Sequence, residues 1–324
     1  AAARRLLEEA GGSDAEGPDE FDFAGLVLVV PTGRAARLFR GVLLEEALAR
    51  GGGAISPPVI VSPGELGSVL ARPATPPAGV VTRRLAWIMA IVSTLREHGR
   101  EALGTLLKDV PDEGDSIGLS RVARLFEAWH REVCAAGRRF GDVASIGQDV
   151  PGFVDGPRWE AADRVQRAYQ AAIESVGMHD ADLALIDAIK EGAPLPAGGE
   201  RTPLGMGHRI ALLGVVDLPP VLRTGLALAP DVTAYVAAPE SEADGFDACG
   251  LIVGPARERW STRHVPLDDA SIRFADGPDD QARAALQLLS RACGSGAEPP
   301  APVDIVVGVA ETDSTPSLGP ALAI

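Results

Sequence analysis

The chain has 324 residues, of which 46% are hydrophobic and 23% are charged, and its formal net charge is −15. This composition is typical of a soluble globular protein, and no apolar run reaches the ~18 residues that a membrane-spanning helix needs. The acidic balance argues against a simple nucleic-acid coat protein but is compatible with a local basic groove. We therefore expect a cytoplasmic protein without a membrane partner. Because the chain begins without methionine and ends after a strand-like run, we also expect a fragment of a longer protein.

The first strong pattern is a buried strand that runs into a turn and a basic helix. Residues 26–30 are aliphatic, and a helix is predicted over residues 35–50. An α/β nucleotide-binding domain keeps its phosphate loop at such a junction, because the N–H groups of a helix N-terminus point at an anion there. Thr32, Gly33 and Arg34 are therefore candidate anion-binding residues. The loop lacks the G-x-x-x-x-G-K-[ST] pattern, so we favour the simpler interpretation that Thr32 caps the helix and Gly33 makes the turn.

A second short strand at residues 58–61 is followed by a helix that begins at residues 62–66. The helix predicted over residues 81–98 has an apolar face that includes Leu85 and Met89. Strand patterns then stop for about a hundred residues, the scale of a small helical domain. The helices predicted there cover residues 119–136, 159–176 and 181–190.

Strand patterns return after a Gly- and Pro-rich linker at residues 191–207. The alternation of strands and helices predicts an α/β fold with a mostly parallel sheet and an inserted all-helical subdomain. The later strand-like runs are residues 209–216, 232–238, 272–275 and 303–309, and the helices between them are residues 219–228 and 279–293.

Asp217 follows the strand at residues 209–216, at the end where parallel sheets bind ligands. It is a candidate vestigial nucleotide-site residue, although we favour a role as the cap of the next helix. The three cysteines and five histidines are scattered, without a C-x-x-C pair or metal-ligand spacing. The sequence therefore predicts no metal, no cofactor and no catalytic residue in this chain. No partner is evident for His130.

Two arginine groups are candidates for contact with a DNA backbone. Arg34, Arg37 and Arg40 recur every third residue along one helix, and Arg138 and Arg139 lie in the helical stretch. A solvent-exposed helix face without a ligand gives the same pattern. For each group this explanation is more common than contact with DNA.

Tryptophan side chains could also stack on the bases of a single strand. Trp87, Trp129 and Trp159 lie within predicted amphipathic helices, so we favour packing in a hydrophobic core.

Taken in order, four passages resemble the amino-terminal half of the AddB-type subunits of bacterial helicase–nucleases. The resemblance implies a degenerate, P-loop-like superfamily 1 helicase core that has lost its ATPase function. In that family a PD-(D/E)XK nuclease domain follows, which here would lie beyond the end of the chain. The passages are residues 29–37, 58–66, 210–220 and 272–284.

The chain departs from an active helicase at both positions that the ATPase reaction needs, the phosphate loop and the acidic end of the later strand. Arg34-Ala35 stands where the loop needs lysine followed by serine or threonine, and Asp217 is followed by Leu218 rather than by a second acid. The resemblance divides the chain into the first part of the helicase-like core, a helical insertion, a return to that core and the start of a second core. The corresponding ranges are residues 1–98, 99–200, 201–265 and 266–324.

On this interpretation the chain is a non-catalytic region that guides DNA to the nuclease domain in double-strand break repair, beside a partner helicase–nuclease subunit. Two alternatives remain open. The chain could be an interaction module that binds a partner motor subunit without touching DNA, which the acidic balance favours. It could also be a weak NTPase that uses Thr32 and Asp217 in a non-standard loop.

Overall fold

The computed structural model describes residues 2–10, 20–23, 25–51, 54–71, 73–192, 209–264 and 274–294. The chain divides into two compact units, Ala1–Arg259 and Trp260–Ile324. In the second unit, a helix at Pro278–Gly294 matches the helix predicted over residues 279–293. The strand predicted at residues 303–309 and the first half of the run at residues 272–275 lie outside the described residues.

The first unit is built on parallel strands, so the predicted α/β class with a parallel sheet is confirmed. Four of the described strands form one parallel sheet in the order β4-β2-β5-β6, and β1 and β3 form a separate parallel pair. In chain order the large sheet reads 2-1-3-4, so its direction of winding reverses between β2 and β5. The strands are β1 (Glu20–Asp22), β2 (Leu26–Val29), β3 (Ala54–Ser56), β4 (Val59–Val61), β5 (Arg209–Leu213) and β6 (Asp231–Tyr235).

Helices cover both faces of this sheet and also fill the long stretch between β4 and β5. Within the described part of that stretch, the regular elements are all helices. The helices of the first unit are α1 (Ala2–Ala10), α2 (Gly33–Ala49), α3 (Pro63–Leu70), α4 (Val80–His98), α5 (Glu101–Gly104), α6 (Ser116–Ala135), α7 (Phe140–Gly147), α8 (Gly156–Ser175), α9 (Ala181–Lys190) and α10 (Pro220–Ala227), and α11 (Gly254–Ser261) ends just past its boundary.

The central strand β2 is buried on both faces because its side chains alternate between two hydrophobic cores. Val27 and Val29 pack in one core with residues of α3, α9 and α10. Leu26 and Leu28 pack in the other with residues of α1 and α2. Complete burial of an aliphatic side chain of this size contributes about 1.5–3 kcal/mol, which explains why an uninterrupted aliphatic run occupies the middle of the sheet.

Helices α4 to α8 share a third hydrophobic core centred on aromatic rings. Trp87 is fully buried, with its ring stacked 3.8 Å from that of Tyr169. Trp129 and Trp159 are partly buried and pack against the same core. Core packing, the role we favour for these three tryptophans, is therefore confirmed.

The apolar face predicted for α4 is wrong in part. Leu85 and Met89 are exposed, whereas the buried face carries Ala86, Trp87 and Ile91. The small alanine lets neighbouring helices approach so that Trp87 fills the space, and the larger aliphatic side chains remain on the outside. None of the helices that the structure describes is long and apolar enough to cross a membrane.

Candidate functional site

The junction of β2 and α2 has the form that the sequence predicts. Thr32 adopts an extended conformation directly before α2, and its Oγ1 accepts a hydrogen bond from the Ala35 N–H at 3.1 Å. Its predicted role as helix cap is therefore confirmed. A Cβ built on Gly33 meets no atom within 4 Å, so the first turn of α2 is open. An anion could approach its N–H groups there, and the anion-binding role of Thr32, Gly33 and Arg34 stays a prediction.

Three exposed arginines follow this open turn. Arg34, Arg37 and Arg40 all lie in exposed positions of α2, and none forms an ion pair or side-chain hydrogen bond within the described ranges. Arginines elsewhere in the first unit are commonly paired. Arg84, for example, is bound to Glu127, and Arg96 to Glu113. In a protein with a net charge of −15, the arginines of α2 form a local cationic surface.

The loops that follow β2 and β5 meet at the point where the winding of the sheet reverses. Gly214 has a φ of +64°, and a Cβ at this position would lie 4.0 Å from Cγ of Pro31. The Gly214 N–H donates to the carbonyl oxygen of Tyr235 at 2.9 Å, which ties the loop to β6. The turn after the central strand and the loop that leads to Asp217 are thus neighbours. In open parallel sheets, the crevice between two such loops is where ligands bind.

Asp217 does not cap the following helix, so that prediction is wrong. Helix α10 begins at Pro220, and its N-cap Pro219 is held in an extended conformation (ψ 147°), which carries Asp217 away from the first turn. Its Oδ1 instead lies 2.9 Å from Nη2 of Arg223 and 2.7 Å from Nη2 of Arg257. Hydrogen bonds from Arg257 and Arg223 outweigh partial burial and hold the pKa of this carboxyl below its usual range.

These ion pairs line a shallow cleft at the carboxyl end of β5. Arg223 is fixed there, because it also donates to the carbonyl oxygens of Leu218 and Ile252. With both arginines bound to its carboxylate, Asp217 is a salt-bridge partner and is poorly placed to hold a magnesium ion. The cleft is lined by Asp217, Leu218, Pro219, Pro220, Arg223, Ile252, Gly254 and Arg257.

The two arginines predicted on the helical stretch have different surroundings. The Arg139 side chain is bound to Asp187 of α9, and its backbone N–H donates to Oδ2 of Asp142 at 2.8 Å at the start of α7. Arg139 is therefore half-buried and engaged within the fold, whereas Arg138 is exposed. Contact of Arg138 and Arg139 with DNA stays a prediction, and the geometry favours Arg138 for it.

A buried polar network, which the sequence did not predict, joins α6, α8 and α9. Nε2 of His130 lies 3.2 Å from Oδ1 of Asp180, and Nδ1 lies 2.8 Å from the Gln166 amide nitrogen. The Tyr169 hydroxyl donates to Oδ2 of Asp180 at 2.5 Å. Asp180 also caps α9, because its Oδ1 accepts the backbone N–H groups of Asp182 and Leu183.

Gln166 sets the tautomer of His130. Its Oε1 accepts a hydrogen bond from the Phe140 N–H at 3.0 Å, so its NH₂ group faces Nδ1 of the imidazole and donates to it. The neutral ring then carries its hydrogen on Nε2 and donates it to Asp180. Burial tends to raise the pKa of Asp180, but hydrogen bonds from His130, Tyr169 and the Leu183 N–H outweigh it and hold that pKa well below its usual range.

His130, Asp180 and Asp182 offer ligand atoms within 4.8 Å of one another, as a metal centre would require. A cation bound at Nε2 would need the lone pair of that nitrogen, which carries the hydrogen that Asp180 accepts. The group is thus organised as a hydrogen-bonded network. Burial and the carboxylates of Asp182 and Asp180 raise the pKa of the neighbouring Cys134 thiol far above its usual value. Cys134 therefore stays protonated and is a poor nucleophile.

No protein-family model matches the chain, and no curated protein matches it in sequence. The residues and their geometry therefore carry the functional argument.

Proposed function

We propose that this chain is the non-catalytic, helicase-like region of a bacterial DNA double-strand break repair nuclease subunit of the AddB type. In this proposal it works in the cytoplasm beside a partner helicase–nuclease subunit, needs no cofactor of its own and guides DNA to a nuclease domain beyond residue 324. Its four segments are residues 1–98, 99–200, 201–265 and 266–324. The observation that carries the DNA contact is the cationic surface formed by Arg34, Arg37 and Arg40.

The dimensions of this surface suit a phosphate backbone. Residues 34 and 40 are separated by about 9 Å along the helix axis at 1.5 Å per residue. One DNA strand advances about 3.4 Å per phosphate along a duplex, so the three arginines span about two to three phosphates. The open first turn of α2 adds N–H groups and the positive end of the helix dipole beside them.

Two features support a non-catalytic role. The turn after β2 has Arg34-Ala35 in place of the lysine and hydroxyl of a working phosphate loop. The acid at the end of β5, Asp217, is bound to Arg223 and Arg257. Both features disfavour the NTPase alternative. That alternative predicts that millimolar Mg-ATP raises the melting temperature with the logarithm of its concentration, whereas our proposal predicts an unchanged value.

The test is the salt dependence of binding to an end-labelled duplex. We expect the triple variant Arg34→Ala, Arg37→Ala, Arg40→Ala to lose most binding at low salt. Its slope of log K against log salt should fall by about 2.7, or 0.9 for each lost phosphate contact. The matched control removes three exposed arginines of α6, Arg121, Arg124 and Arg131, and should bind as the unmodified chain does. Equal losses in both variants would show only a non-specific charge effect.

A second candidate function is that of an interaction module that does not contact DNA. The apolar residues on the exposed side of α2 favour this candidate. Leu38, Leu44 and Leu48 are all exposed there, and such a strip is typical of a protein-binding surface. If the unmodified chain does not bind the duplex even at low salt, this candidate replaces the first. A triple arginine variant that binds as well as the unmodified chain would instead place the DNA contact on other residues.

A further inference from the structure

Helix α2 exposes apolar residues that a helix of a soluble protein normally buries. Leu38, Leu44 and Leu48 expose 60%, 51% and 61% of their surface. They lie on the side of α2 opposite Phe39 and Leu43, which are buried against the sheet. Several large aliphatic side chains exposed along one helix mark a surface that another molecule covers.

Gly41 lies at the centre of this side and at the midpoint of the helix Gly33–Ala49. A Cβ built on it meets no atom within 4 Å, so a second helix could approach the backbone closely at this point. Its neighbours three and four positions away surround it on the helix surface. They are Arg37, Leu38, Leu44 and Glu45.

We infer that α2 pairs with α2 of a second copy of this chain, in antiparallel orientation, with the two-fold axis at Gly41. In this arrangement Leu38 faces Leu44 of the second copy, and Arg37 faces its Glu45. A two-fold axis makes each contact occur twice, so one strip provides both halves of the interface. The arginines at the start of each helix also lie near the carboxyl end of the other, where the helix dipole favours positive charge.

Charge complementarity favours a second copy in this antiparallel orientation. Arg37 and Glu45 are exposed, and neither forms an ion pair with another residue of the described ranges. A parallel pair would place Arg37 against Arg37 and Glu45 against Glu45, which like-charge repulsion disfavours. A single helix pair is small beside the roughly 1,000 Å² that a stable interface buries, so we expect a weak dimer.

The dimer goes beyond the proposed function, although the two share Arg34 and Arg37, because the register that places Arg37 at Glu45 also places Arg34 at Leu48 of the second copy. Because it forms without nucleic acid, the first test is sedimentation velocity of the protein alone, up to about 100 μM. We expect the sedimentation coefficient to rise with concentration towards that of a dimer. Leu44→Glu should abolish this rise, and the matched control Leu85→Glu, an equally exposed leucine on α4, should preserve it. A monomer at every concentration would overturn the inference, as would equal effects of the two substitutions.

Disulfide trapping tests the antiparallel register independently, in chains with Cys249→Ser and Cys293→Ser. Gly41→Cys should form a covalent dimer under mild oxidation, because residue 41 faces itself. Arg37→Cys and Glu45→Cys should each remain monomeric alone and cross-link when they are mixed. Self-linking of Glu45→Cys as fast as that of Gly41→Cys would contradict this register. Exchange of the two charges, with Arg37→Glu and Glu45→Arg in one chain, should preserve the dimer that Glu45→Arg alone weakens.

Discussion

The hydroxyl of Tyr169 donates a hydrogen bond to Oδ2 of Asp180 at 2.5 Å, and both side chains are buried. Tyr169 belongs to the hydrophobic core of the helical stretch, whereas Asp180 begins α9, whose Leu183 packs in the core on the sheet. This pair therefore links the two cores directly. A buried polar link has a large effect when it is broken, because the groups left behind have no water to bind.

Asp180→Ala should lower the free energy of unfolding by about 3–5 kcal/mol. The substitution leaves the buried His130 N–H and Tyr169 hydroxyl unpaired, at about 1–3 kcal/mol each, and removes the cap of α9. The measurement is urea denaturation, and the control is Asp115→Ala, which removes the exposed cap of α6 (Gly118 N–H to Oδ1, 2.9 Å). Loss of that cap alone costs about 1 kcal/mol. Equal losses in the two variants would show that Asp180 contributes no more to stability than an ordinary helix cap does.

The same network gives a pH dependence of known sign. The pKa of Asp180 is lower in the folded chain than in the unfolded one, so its carboxylate stabilises the fold above pH about 3.9. This contribution disappears as pH falls through the folded-state pKa. The stability difference between the unmodified chain and Asp180→Ala should therefore be full at pH 7 and shrink progressively in acid. A difference that grows in acid would contradict the assignment.

Asp182 should respond to pH in the opposite direction. Burial, followed by the nearby Asp180 carboxylate, raises the pKa of Asp182, so its charged form destabilises the folded chain above that pKa. Asp182→Asn should therefore raise the urea midpoint at pH 7. The gain should vanish as pH falls below about 3.9, where the carboxyl is protonated in both states. A lower midpoint at pH 7 would show that attraction of the carboxylate to the start of α9 outweighs its burial.

The sequence predicts well what depends on neighbouring residues. The aliphatic run at residues 26–30 and the polar Thr32 after it are local signals, and the structure has a buried strand and a capped helix there. The face of α4 was harder to predict, because Leu85 and Trp87 are both apolar. Which of them is buried depends on the aromatic partner Tyr169, some eighty residues later in the chain.

The candidate sites were predictable to a smaller extent, because their partners are distant in sequence. His130, Gln166 and Asp180 come from three separate helical segments, and only the Asp180 position before α9 carries a local signal, that of a helix cap. Asp217 is recognisable at the end of a strand, but its partner Arg257 lies forty residues later. Such pairs follow from the tertiary fold and not from any spacing along the chain.

Asp217→Asn should strengthen DNA binding at low salt if the cleft at the end of β5 lies on the DNA path. The substitution releases Arg223 and Arg257 from their shared carboxylate and makes the net charge less negative by one unit. Stability should change by less than about 1 kcal/mol, because Asp217 and Arg257 are about half exposed and Arg223 keeps its bonds to the carbonyl oxygens of Leu218 and Ile252. The measurement is duplex binding at two salt concentrations. The control Asp163→Asn, which releases Arg167 on α8, changes the charge equally and should have no comparable effect.

Gly250→Ala should destabilise the fold more than the same substitution at Gly177. Both glycines have positive φ, +70° and +69°. A Cβ at Gly177 meets no atom within 4 Å, so only the backbone conformation penalises alanine there, by about 1–2 kcal/mol. A Cβ at Gly250 would lie 2.4 Å from Cβ of Ala234 on β6.

The edge strand must therefore shift to admit the new methyl group at residue 250, and overpacking of this kind adds about 1–3 kcal/mol. Thermal unfolding of the two variants measures the difference, and amide hydrogen exchange locates it. In Gly250→Ala the Gly214 N–H, which is bonded to Tyr235 at the end of β6, should exchange faster, whereas in Gly177→Ala it should remain protected. Equal melting temperatures for the two variants would mean that the loop containing Gly250 does not pack closely on β6.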